Sequence, residues 1–292
     1  MNLFLRVIEV VFPVFAIVLA GYFYGRKHRP EMVAVNQLNM NVFLPALIFS
    51  ALAGKDFSLS DNLHPMLGSL FVVLGSGAMA WPVARLLGFN PRTLVPSVMF
   101  SNVGNMGLPL LLLAFGEGAL GPAVVILVSV CFVQFAVSPW LIGGQSPLHG
   151  LWREPLLIAS VAGVLVSVGE LTLWPPLTTA CKLLGDISIG LMIFALGVRL
   201  SFSTMSAWRI GLVGAVVTPV SGLLSAWAFC SLVDMSRAEQ DILFVFAALP
   251  PAVTNFIFSE RYRQEPDQVA SIVAIGNASA LLFIPLVLSF RL

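Results

Sequence analysis

Within Ser101-Asn-Val-Gly-Asn-Met-Gly-Leu-Pro109, three polar side chains, two glycines and a proline interrupt an apolar run otherwise long enough to cross a bilayer as one helix. The chemistry on offer is binding rather than bond breaking. Ser101, Asn102 and Asn105 supply a hydroxyl and two amides. Gly104, Gly107 and Pro109 loosen the helix, glycine by about 1 kcal/mol and proline by about 3 kcal/mol relative to alanine. Hydrocarbon offers no water to the freed N–H and C=O groups, so such a break persists only where protein or a wet cavity surrounds it. Two uses stay open for the asparagines. With Ser101 they line a carboxylate site beside half-helix N–H groups, which favour anions by up to about 2 kcal/mol when partly buried; or they only satisfy the loosened backbone.

A second break, Leu249-Pro-Pro-Ala-Val-Thr-Asn255, lies in another apolar segment. Pro250 and Pro251 create it, and Thr254 and Asn255 are its polar residues, either ligands or helix repair. Two interrupted membrane segments in matching places point to a binding site between them. Asp186 is the acid best placed to lie within a span, where an ionisable group is by default functional. It is either a proton acceptor, or a cap or interfacial residue beside Lys182. Asn41, its counterpart in the other half, cannot titrate. Asn39 and Asn36 extend a polar stripe from Asn41, with Asn36 read as packing glue. Gln134 and Asn277 are single amides near the breaks, most simply interhelical hydrogen bonders. Arg6 and Glu9, three apart, read as a surface pair.

Composition sets the class. Of 292 residues 58% are hydrophobic and 10% charged, with a mean hydropathy of +0.96, whereas soluble domains carry about 25% charged residues. The chain is therefore an all-α polytopic membrane protein. A net charge of +1 gives no nucleic-acid signal. Cys131, Cys181 and Cys230 lack paired spacing and read as core residues. His28, His64 and His149 fall in expected loops, and no metal-ligand spacing, acid pair or Ser/His set occurs within the spans. We expect no metal, no cofactor and no enzymatic activity. No charge ring lines a pore, which disfavours a channel.

Apolar stretches of spanning length run from about Val10 to Gly25, Val33 to Leu52, Pro65 to Leu87, Leu94 to Phe115 and Gly121 to Ile142. Five more run from Pro155 to Leu171, Leu177 to Leu200, Ile210 to Leu232, Asp241 to Phe258 and Val269 to Phe290. Ten spans result, with the breaks in the fourth and ninth. The first is read as a retained span, with a cleaved leader as the alternative. Loops on the side of the first connection hold ten Lys/Arg and the opposite side five (Arg6, Lys55, Lys182, Arg237, Arg291). The positive-inside rule then puts both termini outside the cytoplasm.

A shift of 145 residues lays Asn41-Val-Phe-Leu-Pro-Ala-Leu-Ile-Phe49 over Asp186-Ile-Ser-Ile-Gly-Leu-Met-Ile-Phe194, and a shift of 147 lays Val103-Gly104 over Pro250-Pro251. Nearly one shift aligns both the apolar segments and their interruptions. Five spans per half is odd, so the halves insert in opposite senses as an inverted repeat. Residues 1–142 form the first repeat, 143–154 a short cytoplasmic connection and 155–292 the second repeat.

The chain resembles the auxin efflux carrier family, the PIN-like carriers and their short-loop bacterial relatives. The resemblance rests on Asn39-Met-Asn-Val-Phe-Leu-Pro-Ala-Leu-Ile-Phe49, Ser101-Asn-Val-Gly-Asn-Met-Gly-Leu-Pro-Leu110, Leu184-Gly-Asp-Ile-Ser-Ile-Gly-Leu-Met-Ile-Phe-Ala-Leu-Gly197 and Ala248-Leu-Pro-Pro-Ala-Val-Thr-Asn-Phe-Ile-Phe258. It implies a scaffold of spans 1, 2, 6 and 7, which is also the place for a homodimer contact, and a transport domain of spans 3–5 and 8–10. Substrate would sit where spans four and nine cross and move by an elevator motion. The long cytosolic loop of the plant carriers is missing, which favours a general carrier of small organic anions in the cell membrane, coupled to H⁺, to Na⁺ or to the potential alone. The alternative is a sodium-coupled organic-anion symporter of the bile-acid-carrier type.

Overall fold

The computed structural model of the protein describes residues 3–54, 57–143, 153–203 and 205–292. Twelve helices carry them: α1 (Leu3–His28), α2 (Val33–Leu52), α3 (Leu63–Leu86), α4 (Pro91–Met99), α5 (Val103–Phe115), α6 (Leu120–Gly143), α7 (Pro155–Val168), α8 (Pro175–Leu200), α9 (Trp208–Leu232), α10 (Arg237–Ala247), α11 (Val253–Tyr262) and α12 (Pro266–Arg291). Among the described residues the one β-type pairing is an isolated bridge between Ser101 and Pro251.

Helix starts follow local chemistry. Asn90 caps α4 by accepting the Arg92 N–H at 3.0 Å, with Pro91 at the first position. Ser236 and Glu239 form a reciprocal capping box on α10, which satisfies two of the donors a helix start leaves free. Pro155, Pro175 and Pro266 open α7, α8 and α12, where a missing N–H costs nothing.

Among the described residues seven helices (α1, α2, α3, α6, α8, α9 and α12) are long and apolar enough to cross a membrane. Ten full-length spans are not seen. The residues of spans four and nine are divided between α4 and α5 and between α10 and α11. The sixth span ends at Val168 rather than Leu171, because Glu170 turns the chain with a φ of 49°. Its 14 residues measure about 21 Å, less than the roughly 30 Å of hydrocarbon.

Lipid is as apolar as leucine, so membrane helices hold together by close packing over small residues. α1 lies along α8, where a methyl on Gly197 would meet the Val18 carbonyl oxygen at 2.0 Å and one on Gly21 the Phe194 carbonyl oxygen at 2.2 Å. α2 packs on α7 and α8, and Gly185 sits against the Leu47 backbone. α3 contacts α4, α6 and α9; α9 contacts α10 and α12; α11 lies against α6 and α12.

Two π-helical turns, Asn39–Phe43 within α2 and Val103–Gly107 at the head of α5, each precede a proline by one residue, Pro45 and Pro109. Leu44 and Leu108 bond five residues back, to the Asn39 and Val103 carbonyls. The wider turn makes room for a ring that would otherwise collide with the carbonyl four residues upstream.

Three expectations from the sequence are corrected. His64 is in the first turn of α3, with Nδ1 3.1 Å from Glu239 Oε1. Arg6 reaches the Leu292 carbonyl at 3.4 Å and makes no ion pair with Glu9. His28 is the last residue of α1 rather than a loop residue. Lys55, His149, Trp152 and most of the connection 143–154 lie outside the described residues.

Candidate functional site

Residues far apart in sequence meet where the chain leaves helical geometry. α4 stops at Met99, and Phe100 is extended. Ala252, just before α11, is extended too. The two segments cross antiparallel: the Asn102 N–H donates to the Pro250 carbonyl at 2.7 Å and the Ala252 N–H to the Phe100 carbonyl at 2.9 Å. Ser101 and Pro251 face each other between these bonds. Neither proline is asked for an N–H, so the pairing accommodates both. Asn102, with φ −79° and ψ 62°, is the centre of an inverse γ-turn closed by the Val103 N–H on the Ser101 carbonyl at 2.9 Å.

Side-chain amides hold the crossing from both sides. Asn277 of α12 accepts from Asn102 Nδ2 at 3.0 Å and donates to the Pro251 and Val273 carbonyls at 3.0 and 2.8 Å. On the other side Asn255 accepts from Gln134 Nε2 of α6 at 2.9 Å and donates to the Phe100 carbonyl at 3.0 Å. Gln134 also donates to the Thr254 hydroxyl at 2.9 Å. Asn102, Gln134, Asn255 and Asn277 are each no more than 3% exposed, so each bond stands against a desolvation penalty.

The expected site residues thus divide into two kinds. Asn102, Asn255, Gln134 and Asn277 are buried and engaged with the crossing. Ser101, Gly104, Asn105 and Thr254 are half-buried beside it. Gly107 is packed so that a methyl there would lie 2.5 Å from Leu249 Cδ1, and Pro109 is buried in α5. Gly276, not anticipated, lets α12 approach: a methyl there would meet Pro251 Cδ at 2.5 Å.

Asn39, Asn41 and Asp186 belong elsewhere. Asn39 Oδ1 accepts from Ser188 of α8 at 2.8 Å, joining α2 to α8 in the buried interior. Asn41 and Asp186 are exposed near the middles of α2 and α8. Neither makes a side-chain hydrogen bond or ion pair among the described residues.

The geometry ranks two neighbours. Gln134→Ala leaves the Asn255 carbonyl oxygen and the Thr254 hydroxyl without their donor. Thr254→Ala leaves Gln134 bonded to Asn255. Gln134→Ala is therefore expected to lower detergent-solubilised stability by about 1–3 kcal/mol, and Thr254→Ala by less than half as much, in thermal or denaturant melts.

The crossing is a cluster of amide and backbone polar groups in an apolar helical assembly. Two helix N-termini, those of α5 and α11, start at it, and each carries N–H groups with no intrahelical acceptor. A family model described as "Membrane transport protein" matches residues 6–143 and 136–288. An "Uncharacterized transporter MJ1031" of Methanocaldococcus jannaschii is 23% identical over 95% of this chain and 96% of its own. The "Uncharacterized transporter YfdV" of Escherichia coli K12 is 24% identical over 86% of each chain. A "Putative malonate transporter" of Rhizobium meliloti is 23% identical over 94% of each.

Proposed function

Because the chain belongs to the membrane transport protein family, that of the auxin efflux carriers, we propose that it is a secondary carrier of small organic anions that holds its substrate where the two helix breaks cross. The observation that carries this reading is the hydrogen-bonded crossing of Phe100–Asn102 with Pro250–Ala252 within a set of membrane-length helices. Soluble carboxylates are the substrates that two facing helix N-termini favour. Ser101, Asn105 and Thr254, half-buried beside the crossing, are the groups that touch them, with the backbone at Gly104. Asn102, Asn255, Gln134 and Asn277 keep the crossing closed. The malonate named for the Rhizobium relative makes a short dicarboxylate the first substrate to try.

Ten spans in two inverted repeats follow if α4 with α5, and α10 with α11, each count as one crossing of the membrane. The neighbour pattern supports this. α1 pairs with α8 as α7 pairs with α2, and α3 meets α9. Gln134 bonds Asn255 as Asn277 bonds Asn102. In this scheme α1, α2, α7 and α8 are a scaffold that also carries a dimer contact. The remaining helices are the part that moves, in an elevator motion, in a cell membrane with both termini outside the cytoplasm. Moving one negative charge outward through 100 mV is worth about 2.3 kcal/mol, enough for roughly a fiftyfold gradient without a coupling ion.

Reconstitution in liposomes tests the reading with a panel of malonate, acetate and indole-3-acetate, under a clamped potential, with and without sodium or a pH gradient. Saturable flux of at least one carboxylate is the expected result, and conductance at channel rates would sink it. Flux that requires sodium selects the symporter alternative. Asp186, twelve residues into the 26 of α8, is the candidate for proton coupling, since a bare charge at that depth costs about 2.5–3.5 kcal/mol. Asp186→Asn is expected to cut the response to a pH gradient at least tenfold while leaving potential-driven flux intact. An unchanged response removes the proton role.

A further inference from the structure

Arg199 lies in the last turn of α8 and is half-buried. Its guanidinium stands over the Phe256 ring of α11, 6.0 Å from the centroid. Phe256 follows Asn255, the residue that ties α11 to Gln134 and to the Phe100 carbonyl. On its own helix, Arg199 is seven residues beyond Met192, whose sulfur lies beside Gly104. Seven residues are about 10 Å of helix. The charge therefore sits one side-chain length from the crossing, on the face where α8 looks across at α11, and on the same side of the membrane as the first connection.

Five N–H donors without a protein acceptor are unusual for a half-buried guanidinium. Among the described residues no carboxylate closes an ion pair with Arg199. Among the described residues its side chain donates no hydrogen bond; its carbonyl accepts from the Ser203 hydroxyl and from the Phe202 N–H. Glu260, one turn past Phe256 on the exposed end of α11, acts on the guanidinium only at a distance. The Phe256 face holds the cation in place, and the planar fork that remains free matches a carboxylate in two parallel bonds.

We propose that Arg199 is a carboxylate-binding station on the cytoplasmic approach to the crossing, which receives the anionic substrate before it reaches Ser101, Asn105 and Thr254. This rests on the carrier reading and adds a sided site to it. Because the guanidinium belongs to α8 and its ring partner to α11, the station spans two of the bodies that the carrier reading sets in relative motion. It therefore acts on substrate arriving from one side only.

The test is malonate flux in sided proteoliposomes for the wild type, Arg199→Gln and Arg199→Lys, with KM measured from each face. Loss of a bidentate charged contact is expected to raise the cytoplasmic-face KM about tenfold or more in Arg199→Gln. The opposite-face KM should stay within about twofold, with Arg199→Lys in between on the cytoplasmic face. Equal changes at both faces overturn the assignment. So does an unmoved cytoplasmic KM, the result expected of a guanidinium that merely reaches a lipid headgroup phosphate. Failure of both variants to elute as folded protein makes Arg199 structural and overturns it as well. The wild-type arm separates the two proposals, with acetate or indole-3-acetate in place of malonate where either is the carboxylate carried: no wild-type flux of any of the three counts against the carrier reading, whereas wild-type flux with an unmoved KM in Arg199→Gln counts against the station alone.

Discussion

Asn277→Ala is expected to abolish carboxylate flux and to lower stability by about 2–6 kcal/mol. Asn277 holds the Asn102 amide at 3.0 Å and the Pro251 carbonyl at 3.0 Å. Removing it orphans both in a place where Asn102 is 3% exposed. An unsatisfied buried group costs about 1–3 kcal/mol, and there are two. Pro251 is also one half of the Ser101–Pro251 pair, so the loss falls on the crossing where substrate is proposed to bind. The third bond, to Val273, matters little, because that carbonyl lies within α12. Thermal melts in detergent read the stability, and liposome flux reads the function. Asn102→Ala combined with Asn277→Ala should be less harmful than the sum of the two singles, since each single already breaks the shared bond. Additive losses would show that the two amides act independently and would remove the pairing from the explanation.

Gly197→Ala is expected to destabilise the α1–α8 contact by about 3 kcal/mol or more, and Gly190→Ala on the same helix to be neutral or slightly stabilising. The added methyl at Gly197 would lie 2.0 Å from the Val18 carbonyl oxygen and 2.9 Å from the Tyr22 N. Both are backbone atoms of a helix, so no rotamer change relieves the clash and the two helices must part. Overpacking that side chains can absorb costs about 1–3 kcal/mol; here the backbone has to move. At Gly190 nothing lies within 4 Å of the added carbon, and alanine gains up to about 1 kcal/mol of helix propensity. The pair isolates packing from propensity within one helix. Melting curves of the two variants check it, and equal shifts would mean that the contact of α1 with α8 contributes little to the fold.

Much of the site was visible in local chemistry. Gly104, Gly107 and Pro109, and Pro250 with Pro251, are residues that a membrane helix cannot absorb, so the places where α4 and α10 stop could be read from residue type. The asparagines at 102 and 255 drew attention for the same reason. Their work was harder to read. Either substrate or backbone could have claimed them, and the structure gives their amides to Asn277, Gln134 and the Phe100 carbonyl. Gln134 and Asn277 looked like ordinary interhelical donors because nothing local connects residue 134 to 255 or 277 to 102. Arg199 could not be placed from sequence, because a long side chain near a helix end can snorkel either way, and its direction depends on Phe256, 57 positions further along the chain.

Taken alone, the sequence determines that this is a helical membrane protein, that two of its apolar segments carry helix-breaking residues, and that these stand about 147 residues apart. These are statements about solvent and backbone: hydrocarbon demands long apolar runs and punishes glycine, proline and asparagine within them wherever they occur. Only the tertiary structure decides that the two interruptions touch, through one pair of backbone bonds, and that Asn102 and Asn255 are used up in holding them while Ser101, Asn105 and Thr254 stay half-open. It also decides that Asn41 and Asp186, matched in sequence, face outward rather than toward the crossing. Hydrogen bonds act over about 3 Å, and which groups come that close is set by how the helices pack.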